Sequence, residues 1–168
     1  MSIPNGIVRC HGCSFEGVMQ HRPIKLEYTL PSGEKVQGYR RFAWCSTCSC
    51  ITNAETPIDA GLIRSEIAGI EQRNSSIFKR IFGPKEQDAA ELKTLHAQLR
   101  LAQARRSPPR CLQCGESTVV PLEFDSNGIS NITHSCGRRL FLVPEDPDAP
   151  RFMYRPQVIR LDADGRLL

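Results

Sequence analysis

Apolar and polar positions alternate along Ile24-Lys-Leu-Glu-Tyr-Thr-Leu30, the two-residue period of a strand with one buried face. Pro31-Ser-Gly-Glu34 supplies turn chemistry, and Lys35 to Trp44 reads as the returning strand. The period then lengthens. Ile58, Leu62, Ile63, Ile67 and Ile70 recur three and four apart, an apolar stripe along one helix. Thr56 as N-cap, Pro57 in the first position and Asp59 three after the cap predict its start. Asn74-Ser-Ser76 weakens the pattern, and Ile77, Phe78, Ile81 and Phe82 make a second short stripe that Gly83-Pro84 ends. A further helix is expected over 85–105, with Leu92, Leu95, Leu99 and Ala102 in a heptad-like rhythm. At about 1.5 Å per residue it reaches roughly 32 Å. The tight Gly-Pro connection favours an antiparallel helical pair.

Ser107-Pro-Pro-Arg110 cannot continue that helix and reads as a linker. Beyond it, Thr118 to Phe124 alternates as a strand, Asp125-Ser-Asn-Gly128 turns, and Ile129 to Thr133 returns. A third strand begins near Leu140. Pro144 to Pro150 is an acidic, proline-rich spacer. Phe152, Tyr154 and Val158 to Leu161, then the turn Asp162-Ala-Asp-Gly165 and Arg166-Leu-Leu168, read as a final strand and hairpin. Four segments follow: 1–55, 56–106, 107–143 and 144–168.

Candidate chemistry lies in eight cysteines. Three C-x-x-C pairs, Cys10/Cys13, Cys45/Cys48 and Cys111/Cys114, are joined by His134-Ser-Cys136. Two residues between thiols let one tight turn aim both sulfurs at one ion, and two such turns complete a tetrahedral shell. Chain order predicts two zinc ions, one near each end: Cys10, Cys13, Cys45 and Cys48 for the first, Cys111, Cys114, His134 and Cys136 for the second. Iron is the competing ion. Cys50 either replaces Cys48 or is a small filler or free thiol. His11 and His21 fall close to the first turn but four thiols already suffice there, and His96 reads as a solvated helix residue. Units this small bury too little apolar surface to fold unaided, so metal supplies the missing stability.

A hairpin that brings two metal-binding turns together resembles a zinc ribbon, and the first segment has that pattern. The third also resembles one, through C-x-x-C-G followed by H-x-C-G-x-x-L. It departs from the commonest form, which places a second C-x-x-C where this chain has Thr133 and Cys136, and His134 takes the missing place. The resemblance implies an α+β chain: two small β zinc ribbons separated by an α-helical hairpin, with a short β tail. Zinc ribbons serve in transcription, replication, translation and docking, so the fold alone does not select a role.

Composition narrows the classes. Of 168 residues, 40% are hydrophobic and only 7% aromatic, and apolar runs such as Leu140 to Val143 are short. A membrane span needs about 20 apolar residues, so none is expected. The first residues lack the apolar core of a secretion signal, which predicts a cytoplasmic protein with reduced cysteines. The net charge of +4 is uneven: +2 over 1–56, +4 over 57–110 and −2 over 111–168. No H-E-x-x-H, Walker loop or G-x-S-x-G occurs, and His96-Ala-Gln98 lacks the glutamate of zinc deaminases. The expectation is a non-enzymatic adaptor that docks a protein partner or a second copy of itself. The alternative is a nucleic-acid-binding protein using Arg40 and Arg41 beside Tyr39, Phe42 and Trp44, with Arg105 and Arg106 at the helix end. The stripe over 77–82 is expected to pack between helices and not to dock on a membrane surface.

Overall fold

A computed structural model describes residues 6–75, 86–144 and 155–168. The stripe Ile77–Phe82 with its Gly83-Pro84 stop, most of the acidic spacer, and Phe152 and Tyr154 lie outside the described residues. Those described form β1 (Gly6–Cys10), β2 (Glu16–Met19), β3 (Ile24–Thr29), β4 (Lys35–Gly38), β5 (Arg40–Cys45) and β6 (Cys50–Glu55), then α1 (Ala60–Asn74) and α2 (Glu86–Ala104). The chain ends with β7 (Val119–Pro121), β8 (Ile129–Thr133), β9 (Arg139–Leu142) and β10 (Gln157–Asp162). The fold is mixed α+β. Its three sheets have the orders β2-β1-β9-β8, β10-β3-β4 and β6-β5-β7. None of the described helices is long and apolar enough to cross a membrane.

Two compact units emerge, and neither is a continuous segment. The first comprises Met1–Leu26, Tyr39–Thr56 and Pro109–Ile159, the second Glu27–Gly38, Pro57–Pro108 and Arg160–Leu168. In the first, β1 pairs with β2 on one side and with β9 on the other, in register Val8↔Leu142 and Cys10↔Leu140. β5 pairs with β6 and with β7. Val8, Cys10, Met19, Ile51, Ile132 and Leu140 form the buried cluster, flanked by Phe15, Phe42, Trp44, Leu122, Phe124 and Leu142.

The returning strand expected over Lys35 to Trp44 is divided between two sheets: β4 joins β3, and β5 joins β6 and β7. The break falls where a side chain has no room. A Cβ on Gly38 would stand 2.2 Å from the Tyr28 ring. Tyr39 follows, 56% exposed, so the alternation that looks continuous in sequence is interrupted there.

In the second unit α1 and α2 pack through Ile63, Ile67, Ile70 and Leu95, with Ile58, Leu92 and Leu99 alongside. Leu62, counted on the same stripe, is 65% exposed. The helix starts later than the Thr56 reading predicts. Asp59 is the N-cap, its Oδ1 accepting the N–H of Gly61 at 2.7 Å and of Leu62 at 3.1 Å. Pro57 biases the preceding residue toward extended backbone, and the Thr56 N–H donates to the Tyr39 carbonyl at 2.8 Å, prolonging the strand instead. Arg100 grips Glu34 with two bonds of 2.6 and 2.9 Å. At the end of α2 the Asp164 carboxylate accepts the Arg106 and Ser107 N–H groups at 2.8 and 3.3 Å. The Asp162-to-Gly165 turn is as expected, with Gly165 at φ 77°.

Candidate metal centres

Each ligand pair sits on a tight turn, and in the three C-x-x-C turns an amide points back at sulfur. At the end of β1 the Cys10 N–H donates to the Phe15 carbonyl at 3.2 Å, and Gly12 N–H approaches Cys10 Sγ at 3.4 Å. Between β5 and β6 the Cys48 N–H meets Cys45 Sγ at 3.4 Å, and Ser49 takes φ 50° to close the hairpin. In the third turn Gln113 N–H meets Cys111 Sγ at 3.4 Å, and Gly115, at φ 78°, donates to the Cys111 carbonyl at 2.9 Å. Between β8 and β9, Gly137 at φ 80° donates to the His134 carbonyl at 2.8 Å. The two glycines occupy left-handed backbone that a Cβ disfavours.

Strand register decides which turns meet. Pairing of β1 with β9 brings the first turn to the last. Cys10 Sγ lies 3.3 Å from Cys136 Sγ, and His134 Nδ1 lies 3.4 Å from both Cys13 Sγ and Cys136 Sγ. Pairing of Cys45 with Val119, the bridge Ala54↔Cys111 and the Leu112 N–H bond to the Asn53 carbonyl bring the second turn to the third. Cys45 Sγ then lies 3.7 Å from Cys114 Sγ. The sets are Cys10/Cys13/His134/Cys136 and Cys45/Cys48/Cys111/Cys114, the ligand atoms of each within 4.8 Å of one another.

All eight expected side chains fall in these two sets, but the grouping expected from chain order is corrected. Cys10 and Cys13 do not join Cys45 and Cys48; one set is nested inside the other, and both lie in the first compact unit. The reason is that β1 is flanked by β2 and β9, and not by the strand leading into Cys45. This order departs from two ribbons in succession.

Burial differs between the sets. In the outer one only Cys10 is buried, with His134 half-buried and Cys13 and Cys136 exposed. In the inner one Cys45 and Cys111 are both buried. Burial pushes the Cys45 thiol up, but the Cys48 amide and the thiols of Cys48, Cys114 and Cys111 outweigh it and bring it down to about 7. Cys48 is pushed well up by burial and by the thiols of Cys114 and Cys45. Cys10 ends low for the same reasons as Cys45: burial opposes, the Gly12 amide and the thiols of Cys136 and Cys13 win. In each set one thiol, Cys45 in the inner and Cys10 in the outer, is thus lowered by its neighbours.

The donor sets fit a single metal ion each. At a zinc–sulfur distance of about 2.3 Å a tetrahedron has edges of roughly 3.8 Å, close to the separations found. Cys50 stands outside both sets, its Sγ 3.9 Å from Gln113 Oε1, and burial together with the charge of Cys111 and Cys45 raises its thiol. His11 stacks on Phe141 at 4.3 Å, His21 meets Phe42 edge-on at 5.0 Å, and His96 is exposed.

Two features escaped the sequence reading. His134 is lodged between Phe15 at 4.8 Å and Trp44 at 5.7 Å, and Trp44 precedes Cys45 of the inner set. Glu55 is fully buried, its carboxylate accepting the Arg110 N–H at 2.7 Å and so fixing the residue before Cys111. Nothing in a single sequence separates such a glutamate from a surface one. Among the basic candidates, the Arg40 guanidinium donates to Asn53 Oδ1 and to the Arg22 carbonyl at 2.5 Å, and lies 5.3 Å over the Phe42 ring. Arg105 donates to the carbonyls of Ser107 and Pro108 and lies 5.9 Å over Tyr28. Arg106 engages Asp164 through its backbone, and Arg41 Nε is buried.

The fold and these sites define a protein with two nested clusters of four side chains in one β unit, each of which could hold a metal ion. Comparison of the chain with protein-family models, curated proteins and solved structures finds no match.

Proposed function

We propose that this is a non-enzymatic zinc protein whose two closed sites hold a small β unit in shape as an adaptor for a protein partner or a second copy. The observation that carries this reading is the completeness of both ligand sets. Seven thiols and one imidazole supply four ligand atoms to each set, and a tetrahedron filled by them leaves no position for an activated water or a substrate. Thiolate-rich, tetrahedral donor sets favour zinc among common ions. A multi-iron cluster needs its cysteines spread around several metal atoms, whereas these ligand atoms crowd around one point per set.

Support for docking comes from a sheet edge. Among the described strands β2 is an edge strand and carries an exposed valine, Val18, 43% exposed. An edge strand offering unpaired backbone groups and apolar side chains suits strand addition by another polypeptide. Arg40 and Arg105, by contrast, already commit their guanidinium groups to their own chain.

Elemental analysis of protein purified without chelator should return two zinc ions per chain, and iron or fewer than two ions contradicts the metal assignment. Isolation from the native host at moderate salt should recover a polypeptide or a homo-oligomer. Recovery of nucleic acid whose retention falls steeply with added salt contradicts the adaptor role.

A further inference from the structure

Five thiols, not four, gather at the inner site. Cys50 opens β6 directly opposite Cys45, which closes β5, in the register Cys45↔Cys50. Directly opposed residues of an antiparallel pair have Cα atoms about 4.5 or 5.5 Å apart, and both values fall within the roughly 4.4–6.8 Å span that a disulfide bridges. Opposed residues also present their side chains on the same face of the sheet. Cys50 therefore faces the ligand set beside a coordinating sulfur without being needed for coordination. It is half-buried, whereas Cys45 has none of its surface exposed, so of this pair a small oxidant reaches Cys50 more readily.

We infer that Cys45 and Cys50 form a redox switch in which a peroxide closes a cross-strand disulfide and ejects the metal from the inner site. This rests on the reading of that site as a zinc site. In the first step the Cys50 thiol is oxidised by hydrogen peroxide. A sulfur–oxygen bond forms as the oxygen–oxygen bond breaks, one water leaves, and Cys50 becomes a sulfenic acid. In the second, the Cys45 thiolate leaves the metal and attacks the Cys50 sulfur. The disulfide forms as the sulfur–oxygen bond breaks, and the departing hydroxide takes a proton from solvent to become water. Two thiols are oxidised by two electrons and one peroxide is reduced to two waters. Three sulfurs remain at the site, and the zinc leaves. The outer set has three thiols and one imidazole and no spare cysteine beside it among the described residues, so it cannot form the same disulfide between a ligand and a non-ligand.

The test uses the full chain loaded with two zinc ions, hydrogen peroxide near one equivalent, a zinc-responsive dye and disulfide mapping by peptide mass spectrometry. Zinc content before oxidant checks the metal reading separately: a chain that never held two ions defeats that reading, not the switch. The wild type should release one zinc per chain, yield a Cys45–Cys50 linked peptide, and recover its zinc when reduced. Cys50→Ser and Cys50→Ala should each bind two ions at the outset and release the inner one at least tenfold more slowly. Release at the wild-type rate from either variant, a disulfide mapped to another pair, or a wild type that keeps both ions overturns the proposal. Either variant binding only one ion at the outset also overturns it, since Cys50 would then be a ligand.

Discussion

Cys45 receives an amide and three thiols at its sulfur while sitting fully inside the β unit, so a hydroxyl in its place leaves those donors around a poorer metal ligand. Cys45→Ser should lower the zinc content from two ions to one, and elemental analysis checks it. At the other end of the chain, Asp164 is held below the usual carboxylate range by the Arg106 amide above all, assisted by the Ser107 amide, against the opposing effect of burial. Because its folded value lies below its unfolded one, the stability it contributes is complete above the ordinary carboxylate range. It is lost as the pH falls through the lowered value. The difference in urea midpoint between wild type and Asp164→Asn should therefore be present at neutral pH and shrink on acidification below about pH 4. A pH-independent difference contradicts the assignment. At this scale the side chains that cluster were legible: C-x-x-C is a local signal, and neighbouring residues alone decide whether two sulfurs share a turn. Cys50 was not resolved from Cys48 in sequence, because the Cys45-Ser-Thr-Cys48-Ser-Cys50 run offers both, and only the hairpin geometry, with Ser49 at positive φ, separates them.

At the scale of elements, the helical stripe was readable because its period is set by residues within a few turns of each other, and Ile63, Ile67 and Ile70 are buried as expected. The cap was not. Thr56-Pro57 has the right chemistry for a helix start, but Thr56 is engaged by Tyr39, a partner distant in sequence. Asp59→Ala should cost about 1 kcal/mol in denaturant unfolding without loss of zinc, whereas Thr56→Ala should cost far less than that. The reverse order restores the sequence-based start. Strand boundaries were similarly obscured at Gly38, where contact with Tyr28, a residue on another strand, divides one alternating run between two sheets.

The whole molecule is arranged by pairings that no local pattern reports. The outer site joins Cys13 to His134 across 121 residues, while the inner one joins Cys45 to Cys114 across 69. Closing loops of this length costs chain entropy that grows slowly with length, and in our account metal coordination offsets it. Loss of metal should then disturb the β unit as a whole and not one end of the chain. Trp44, the single tryptophan, reports on it from beside both sets, in edge contact with the His134 ring and next to Cys45 in sequence. A strong chelator should shift its emission to longer wavelength together with loss of sheet signal in circular dichroism. Unchanged emission after verified metal removal contradicts this.

The nested grouping is tested most directly by replacing the bound ions with cadmium-113 and correlating each metal signal with the protons of its ligands. Two cadmium resonances are predicted. One couples to Cys45, Cys48, Cys111 and Cys114, the other to Cys10, Cys13 and Cys136 with His134. A resonance coupling Cys10 and Cys13 to Cys45 and Cys48 contradicts the account.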